Sequence, residues 1–348
     1  MKVLITGAAG FLGLHLSKYF SKKKYNLILL DKLKFNKHEY PKKNCTFNNI
    51  DICNKKALEK IITNDIDIII HAAAALPLCK TTEIYNVNVG GTKNILDLAR
   101  KNKIKRVIFI SSTAVYGIPI KHPIYEDDKL IGVGAYGESK IQAEKACFNA
   151  IKKGLNVTII RPKTFVGTHR LGVFEILFDW IHDGKKIPVI GNGKNKYQLL
   201  DVDDLVEAIY LFTEKESNKY NGAFNIAAQE FETVEKDLNE LFKYAASGSK
   251  IFKTPAYLIK TMLRIFEKLK LSPLYQWVYD TADKDSYVSI KKLKKVLSWK
   301  PKYSNSQALI KSYEWYLENY KKVKKTNTRT THTVGWKQGI LGLIKRIM

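Results

Sequence analysis

The sequence predicts an α/β protein, a doubly wound parallel sheet followed by a smaller, mostly helical C-terminal part. Three observations predict it. Short apolar runs alternate with helix-length segments through the first half. A glycine turn joins the first run to the first helix, and the regular alternation stops near Pro162. Strands that read apolar throughout are buried on both faces, as in a parallel sheet covered by helices.

The strand-like runs are residues 2–6, 26–30, 66–70, 106–110 and 157–160, and the segments 11–22, 55–62, 88–101 and 136–152 read as helices between them. Beyond Pro162 the pattern predicts helices at 171–183 and 203–213, a Gly/Asn loop at 191–196 and a strand at 223–226. Helices follow at 234–244, 256–269, 291–297 and 306–320, with a loop and extended segment at 280–288. The expected division is a nucleotide-binding domain over 1–165, with returns near 201–228, and a substrate-binding part over 166–320. A basic linker and amphipathic helix fill 321–348.

The chain carries a net charge of +26, and only seven of its 59 basic residues are Arg. Nucleic-acid readers favour clustered, Arg-rich surfaces, whereas these lysines are dispersed, so nucleic acid is not an expected partner. Phosphorylated substrates or anionic lipid fit the charge better. Cys45, Cys53, Cys79 and Cys147 have no metal-type spacing, and no metal site is expected. Met1 leads straight into the first strand and no apolar run approaches membrane-spanning length, so a cytoplasmic protein is expected.

The strand 2–6 runs into Gly7-Ala-Ala-Gly10-Phe11-Leu12-Gly13 and then a helix. Glycines so placed permit a tight turn, close approach of a pyrophosphate, and close packing of helix on strand. The helix N-terminus offers unpaired N–H groups to the phosphates. Asp31, at the end of the second run, would bind the adenosine ribose and repel an additional phosphate, which favours NAD over NADP. This is the Rossmann arrangement.

Tyr136 and Lys140 lie four apart on a predicted helix, hence on one face. An ammonium beside a phenol lowers its pKa and prepares it as an acid/base. Ser111-Ser112 ends the 106–110 strand, placing hydroxyls at the carboxyl edge of the sheet.

With these residues the chain resembles the extended short-chain dehydrogenases/reductases of the NAD-dependent epimerase/dehydratase type, over roughly residues 1–320. The resemblance also rests on Asp51-Ile52, His71-Ala-Ala-Ala74, Asn88-Val-Gly-Gly-Thr92, Ser111-Ser-Thr-Ala-Val-Tyr-Gly117, Arg161-Pro162, Asp201-Val-Asp-Asp-Leu205 and Phe224-Asn-Ile226. It implies that Asp51 and Ile52 bracket the adenine and that Ala72, Ala73, Ala74, Asn88 and Ser111 line the cofactor. It implies Ser112 as the hydroxyl-orienting residue, Tyr136 as the acid/base, and Lys140 as the residue that holds the nicotinamide ribose and tunes Tyr136. Pro162 and Lys163 would lie beside the nicotinamide. Thr113, Thr164, Arg170 and Tyr197 are the expected substrate residues, and a homodimer through two helices of the nucleotide domain is implied.

Within that resemblance, sugar dehydratases carry an Asp-Glu pair after the catalytic Thr and decarboxylases a Glu where Ala114 stands. Thr113-Ala114 disfavours both. A sugar epimerase is therefore expected, acting at C4 of a nucleotide- or lipid-diphosphate-linked sugar through a 4-keto intermediate. The alternative is a dehydrogenase or reductase of a sterol-like or other membrane-soluble alcohol. A third reading, a non-catalytic NAD-sensing or scaffold protein, is opposed by retention of Ser112, Tyr136 and Lys140. Nucleotide-sugar members resemble one another in an Arg-Asp pair that grips the pyrophosphate. Tyr197-Gln198 stands there instead, with Arg170 or the loop Lys194-Asn-Lys196 as substitutes.

In the tail, Trp336, Ile340, Leu343, Ile344 and Ile347 share one helical face beside Lys337, Lys345 and Arg346. Two readings are open, peripheral contact with an anionic membrane through 336–348 or docking on protein. The similar segment 256–271 is expected to pack its apolar face on the core.

Overall fold

The computed structural model describes residues 1–215, 217–269, 276–325 and 340–348. The first half runs β1 (Lys2–Thr6), α1 (Phe11–Lys22), β2 (Asn26–Asp31), β3 (Cys45–Asn49), α2 (Lys55–Glu59) and β4 (Ile68–His71). It continues with α3 (Thr81–Tyr85), α4 (Thr92–Lys101), β5 (Arg106–Ile110), α5 (Gly134–Lys152) and β6 (Val157–Pro162). The second half holds β7 (Phe165–Val166), α6 (Val173–His182), β8 (Ile187–Ile190), β9 (Leu200–Asp201), α7 (Val202–Thr213) and β10 (Gly222–Ile226). Then come α8 (Val234–Ala245), β11 (Ile251–Thr254), α9 (Ala256–Lys268), α10 (Gln276–Thr281) and α11 (Lys291–Leu297). The last described elements are α12 (Asn305–Glu318), α13 (Tyr320–Lys325) and α14 (Ile340–Ile347).

Seven strands form one parallel sheet in the order β10-β6-β5-β4-β1-β2-β3. The order reverses between β1 and β4, so the carboxyl ends of these strands diverge and open a crevice. One face is covered by α1 and α7, whose Leu16, Phe20, Leu205 and Ile209 are fully buried against Val3, Leu29 and Phe224. The other is covered by α4 and α5, through Ile95, Ala99, Ala143 and Cys147 against Ile69, Val107 and Ile159. A third cluster, built on Phe178, Ile181, Leu241, Leu309 and Tyr316, is the core of the substrate half.

Several features depart from the sequence pattern, among them α13, which begins the stretch expected as a basic linker. β3 was not expected, because an edge strand reading Cys-Thr-Phe-Asn-Asn is only half buried and lacks an apolar run. β8 carries Pro188 and pairs only with β11, a two-stranded ribbon that the proline masks in the sequence. The segment expected as one helix from Asn88 opens with a wide π-helical turn over Asn86–Gly91 before α4 begins. Thr92 Oγ1 donates to the Asn88 carbonyl there at 2.7 Å, and the Asn88 amide turns inward.

Two amphipathic segments resolve differently. In α14, Leu341, Ile344 and Met348 pack on the substrate-half core, and Lys345 meets Asp179 and Asp183, each at 2.6 Å. Leu343 remains exposed, and Trp336 and Lys337 lie outside the described residues. The described part of the tail is thus docked on its own chain. α9 does the reverse of its expectation. Leu263 is buried, while Leu258, Met262, Ile265 and Leu269 are exposed; Lys260 turns inward to Asp283, and the exposed Arg264 pairs with Asp280. Among the described residues, no helix is long and apolar enough to cross a membrane.

Candidate active site

A cleft of about 870 Å3 follows the carboxyl ends of the sheet from β2 and β3 across to α5 and the substrate half. At its floor lie Gly7, Gly10, Phe11, Leu12 and Gly13. A Cβ on Gly7 would stand 2.6 Å from the Ala73 nitrogen, and one on Gly13 2.4 Å from the Gly7 carbonyl oxygen. Only glycine fits either position, and the bare backbone leaves room for a ligand against the start of α1. No side chain caps that helix, so its first N–H groups face the cleft with their partial positive charge.

Asp31, Asp51 and Ile52 line one end of the cleft, and Ala72, Ala73 and Ala74 its middle. The Asp31 carboxylate accepts from the Ala9 and Leu33 amides at 3.0 and 2.8 Å, which fixes it beside the glycine turn. Burial raises its pKa, with those amides pulling the other way. Sequence reasoning missed Lys32 and Glu83, which meet at 2.7 Å on this rim. Lys32 is exposed and Glu83 half-buried, and no motif marks either.

Asn88 does not reach the cleft wall. Its Nδ2 donates to the Ala75 carbonyl and to Ser139 Oγ, while its Oδ1 accepts from the Ala75 amide. The π-helical turn buries it, and it braces the Ala75 loop against α5. His71 is also structural: Thr6 and Thr92 hold its two ring nitrogens at 2.7 and 2.9 Å. Burial takes its pKa down to about 3.

At the far end Ser111, Ser112, Thr113, Tyr136, Lys140, Pro162, Lys163, Thr164 and Arg170 come together on the cleft wall. Ser112 caps the turn that follows β5, accepting from the Ala114 amide at 3.1 Å. Burial raises the Tyr136 phenol to about 12, opposed by its hydrogen bond with Ser112 and by the Arg170 charge. Lys140, expected to tune the phenol, lies one helical turn further along α5. Its ammonium donates to the Ile110 carbonyl at 2.8 Å and lies 6.0 Å from the Tyr136 ring centroid. Burial lowers Lys140 itself to about 8. The Ser111 hydroxyl donates to Glu144 at 2.5 Å.

Arg170 is buried and packs over Phe11, Phe165 and Phe174. Lys163 runs toward the substrate half, donating to Ser286 Oγ at 2.6 Å with its ammonium 4.7 Å from the Tyr197 ring centroid. Tyr197 does not line the cleft itself, and its hydroxyl lies 3.4 Å from Thr164 Oγ1. Lys194 and Lys196 stay on the exposed surface.

The sequence model of the NAD dependent epimerase/dehydratase family matches residues 3–227. The chain belongs to that family. A protein of Sinorhizobium fredii known as uncharacterized protein y4nG is 33% identical over 343 residues, 98% of this chain and 85% of that one. The UDP-N-acetyl-alpha-D-glucosaminuronate decarboxylase of Bacillus cytotoxicus is 28% identical over 336 residues, covering 91% of this chain and 98% of the relative. In fold, the chain is similar to the UDP-glucose 4-epimerase of Thermotoga maritima solved with UDP-glucose. The TM-score is 0.77 at 23% identity, over 92% of this chain and 100% of that one.

This epimerase/dehydratase family member uses NAD, and the cleft fits a dinucleotide on its own evidence. The glycine floor, the uncapped start of α1 and the Asp31 carboxylate supply a phosphate cradle and a ribose acceptor in one crevice.

Proposed function

We propose that the protein is an NAD-dependent sugar 4-epimerase acting on a nucleotide-linked sugar. The observation that carries this reading is the order of groups after β5. Ser112, Thr113 and Ala114 present two hydroxyls and a methyl on the cleft wall beside Tyr136, and that turn holds no carboxylate. Elimination or decarboxylation by the family's usual acids lacks its acid there, while oxidation and return of hydrogen at one carbon needs only the hydroxyl and the phenol.

In this reading Gly7, Gly10, Phe11, Leu12 and Gly13 hold the diphosphate of NAD, Asp31 its adenosine ribose, and Asp51 with Ile52 the adenine. Ala72, Ala73 and Ala74 line its length, Lys140 holds the nicotinamide ribose, and Pro162 flanks the nicotinamide. NAD held there would supply the acceptor, and then the donor, of a hydride at the sugar C4. Ser112 orients the C4 hydroxyl, and Tyr136 takes its proton as the hydride leaves. The resulting ketone turns over within the cleft, and Tyr136 restores the proton once hydride arrives on the opposite face. Substrate and product are isomers, so no external reductant enters the balance. Arg170, Thr113 and Thr164 bound the space left for the sugar. The family relation also supports a homodimer, which sedimentation analysis tests.

Purified protein incubated with NAD and UDP-sugars should invert C4, read by proton NMR, without accumulating NADH. Net NADH formation with an alcohol substrate would replace this reading with the dehydrogenase one.

A further inference from the structure

Beyond Tyr136, the cleft wall contains a cation that the hydride chemistry does not use. Lys163 follows β6 directly, is 2% exposed, and sends its ammonium into the substrate half. There it meets Ser286 Oγ at 2.6 Å and stands over the Tyr197 ring. No ion pair joins it to a carboxylate among the described residues, and burial alone takes its pKa down to about 7. A buried ammonium with one neutral hydrogen bond retains two donors and a full charge to satisfy.

A second group nearby is also unsatisfied. His122 Nε2 is buried and has no hydrogen-bond partner. Its ring lies tilted over Tyr287, the neighbour of Ser286, at 4.8 Å. Burial lowers its pKa, with the Asp285 charge opposing and the Lys163 charge adding to that effect. Ser286 is itself fixed: its amide donates to the Lys196 carbonyl and its carbonyl accepts from the Gln198 amide. The donors therefore sit on backbone held in register with Tyr197. Tyr197 occupies the place where the family resemblance led one to expect a pyrophosphate-gripping Arg. The substitutes expected from the sequence at Lys194 and Lys196 are on the surface.

We propose that Lys163, with Ser286 and His122 beside it, forms an oxyanion-binding subsite that seats an anionic group of the sugar substrate. The proposal deepens the epimerase reading and rests on it for the kind of substrate. The shared chemistry is an oxyanion with lone pairs for an ammonium and a hydroxyl. Its source is either the diphosphate of the carrier or the carboxylate of a uronic sugar. An anion placed there satisfies the free donors of Lys163 and keeps the lysine charged at neutral pH.

Titration calorimetry of the full chain loaded with NAD, using UDP, UDP-glucose and UDP-glucuronate, tests the subsite. For a diphosphate, Lys163→Met weakens all three by about 10-fold or more. For a carboxylate, the same substitution weakens UDP-glucuronate alone and leaves the other two within about two-fold. Ser286→Ala follows the same pattern with a smaller loss, and melting curves confirm that both variants fold. The subsite is overturned if all three affinities are unchanged in Lys163→Met, or if the wild-type protein binds none of the probes. It is equally overturned if NADH affinity falls in step with the nucleotides, since Lys163 then serves the cofactor. Absence of C4 inversion with Lys163-dependent binding intact overturns the epimerase reading and leaves the subsite standing.

Discussion

Arg161 on β6 and Glu144 on α5 form a buried bidentate pair, with contacts of 2.6, 2.9 and 3.2 Å. Glu144 also takes the Ser111 hydroxyl, and Arg161 donates to the Tyr116 hydroxyl at 2.7 Å and the Glu126 carbonyl at 2.8 Å. The pair therefore ties α5, which carries Tyr136, to the strand ends that carry Ser112 and Pro162. Its charge-assisted bonds also raise the Arg161 pKa against the opposing effect of burial.

Removing one partner leaves the other charged and dry. Glu144→Ala should cost about 3–5 kcal/mol of stability, measured by urea denaturation. A loss below about 1 kcal/mol would show that the pair is dispensable.

Tyr136→Phe should reduce kcat for C4 inversion by about 10^2–10^4-fold, while the melting temperature and NADH binding remain as in the wild type. The sign of the pH effect follows from burial. A phenol raised to about 12 is mostly protonated at neutral pH, so the base form grows as pH rises. With a substrate that must first be oxidised, kcat/KM should climb between about pH 6 and 9. Ser112→Ala and Arg170→Met each remove a group that holds the phenol down, so both should lower the rate at any pH in that range.

Gly13→Ala should weaken NADH binding by about 10-fold or more, because the new methyl displaces the Gly7 backbone by steric overlap. Fluorescence titration with NADH reads this. Unaltered affinity would mean that the glycine turn is not the phosphate cradle.

The sequence and the structure agree best where local pattern and tertiary role coincide. α1 spans the residues that periodicity and the glycine turn marked, and α11 does likewise. β3 escaped because edge pairing needs no apolar run, and β8 because Pro188 interrupts its strand pattern. Within the cleft, residue identity was legible and side-chain direction was not. Asn88 and Lys163 both carried cofactor expectations, yet a π-helical turn buries the first, and the second points at Ser286. Neither direction is encoded within a few residues of sequence. The Lys140 ammonium likewise shares a helix face with Tyr136, but spends a hydrogen bond on Ile110.

Lys163→Met should stabilise the empty protein at neutral pH. The folded-state pKa of about 7 lies below the ordinary lysine value of 10.5, so the unfolded chain binds the proton more tightly. The penalty is full below about pH 7, declines as pH rises, and is gone above about 10.5. The variant's advantage should therefore shrink toward alkaline pH. Denaturant midpoints across that range check the trend, and an advantage growing with pH would contradict it.

The chain passes back and forth between its two cores. Leu171 and Val189 belong to the substrate half, Leu200 and Phe224 to the sheet, Leu241 again to the substrate half, Leu293 to the sheet, and Leu309 once more to the substrate half. This weaving governs how the molecule can be re-engineered. Exchanging its sugar-recognising portion for that of a relative requires transplanting several separate stretches at once. Excising residues 1–166 alone would strip α7 and β10 from the sheet and leave a naked apolar face, so the cofactor-binding portion is not a module that a single scissile point can liberate.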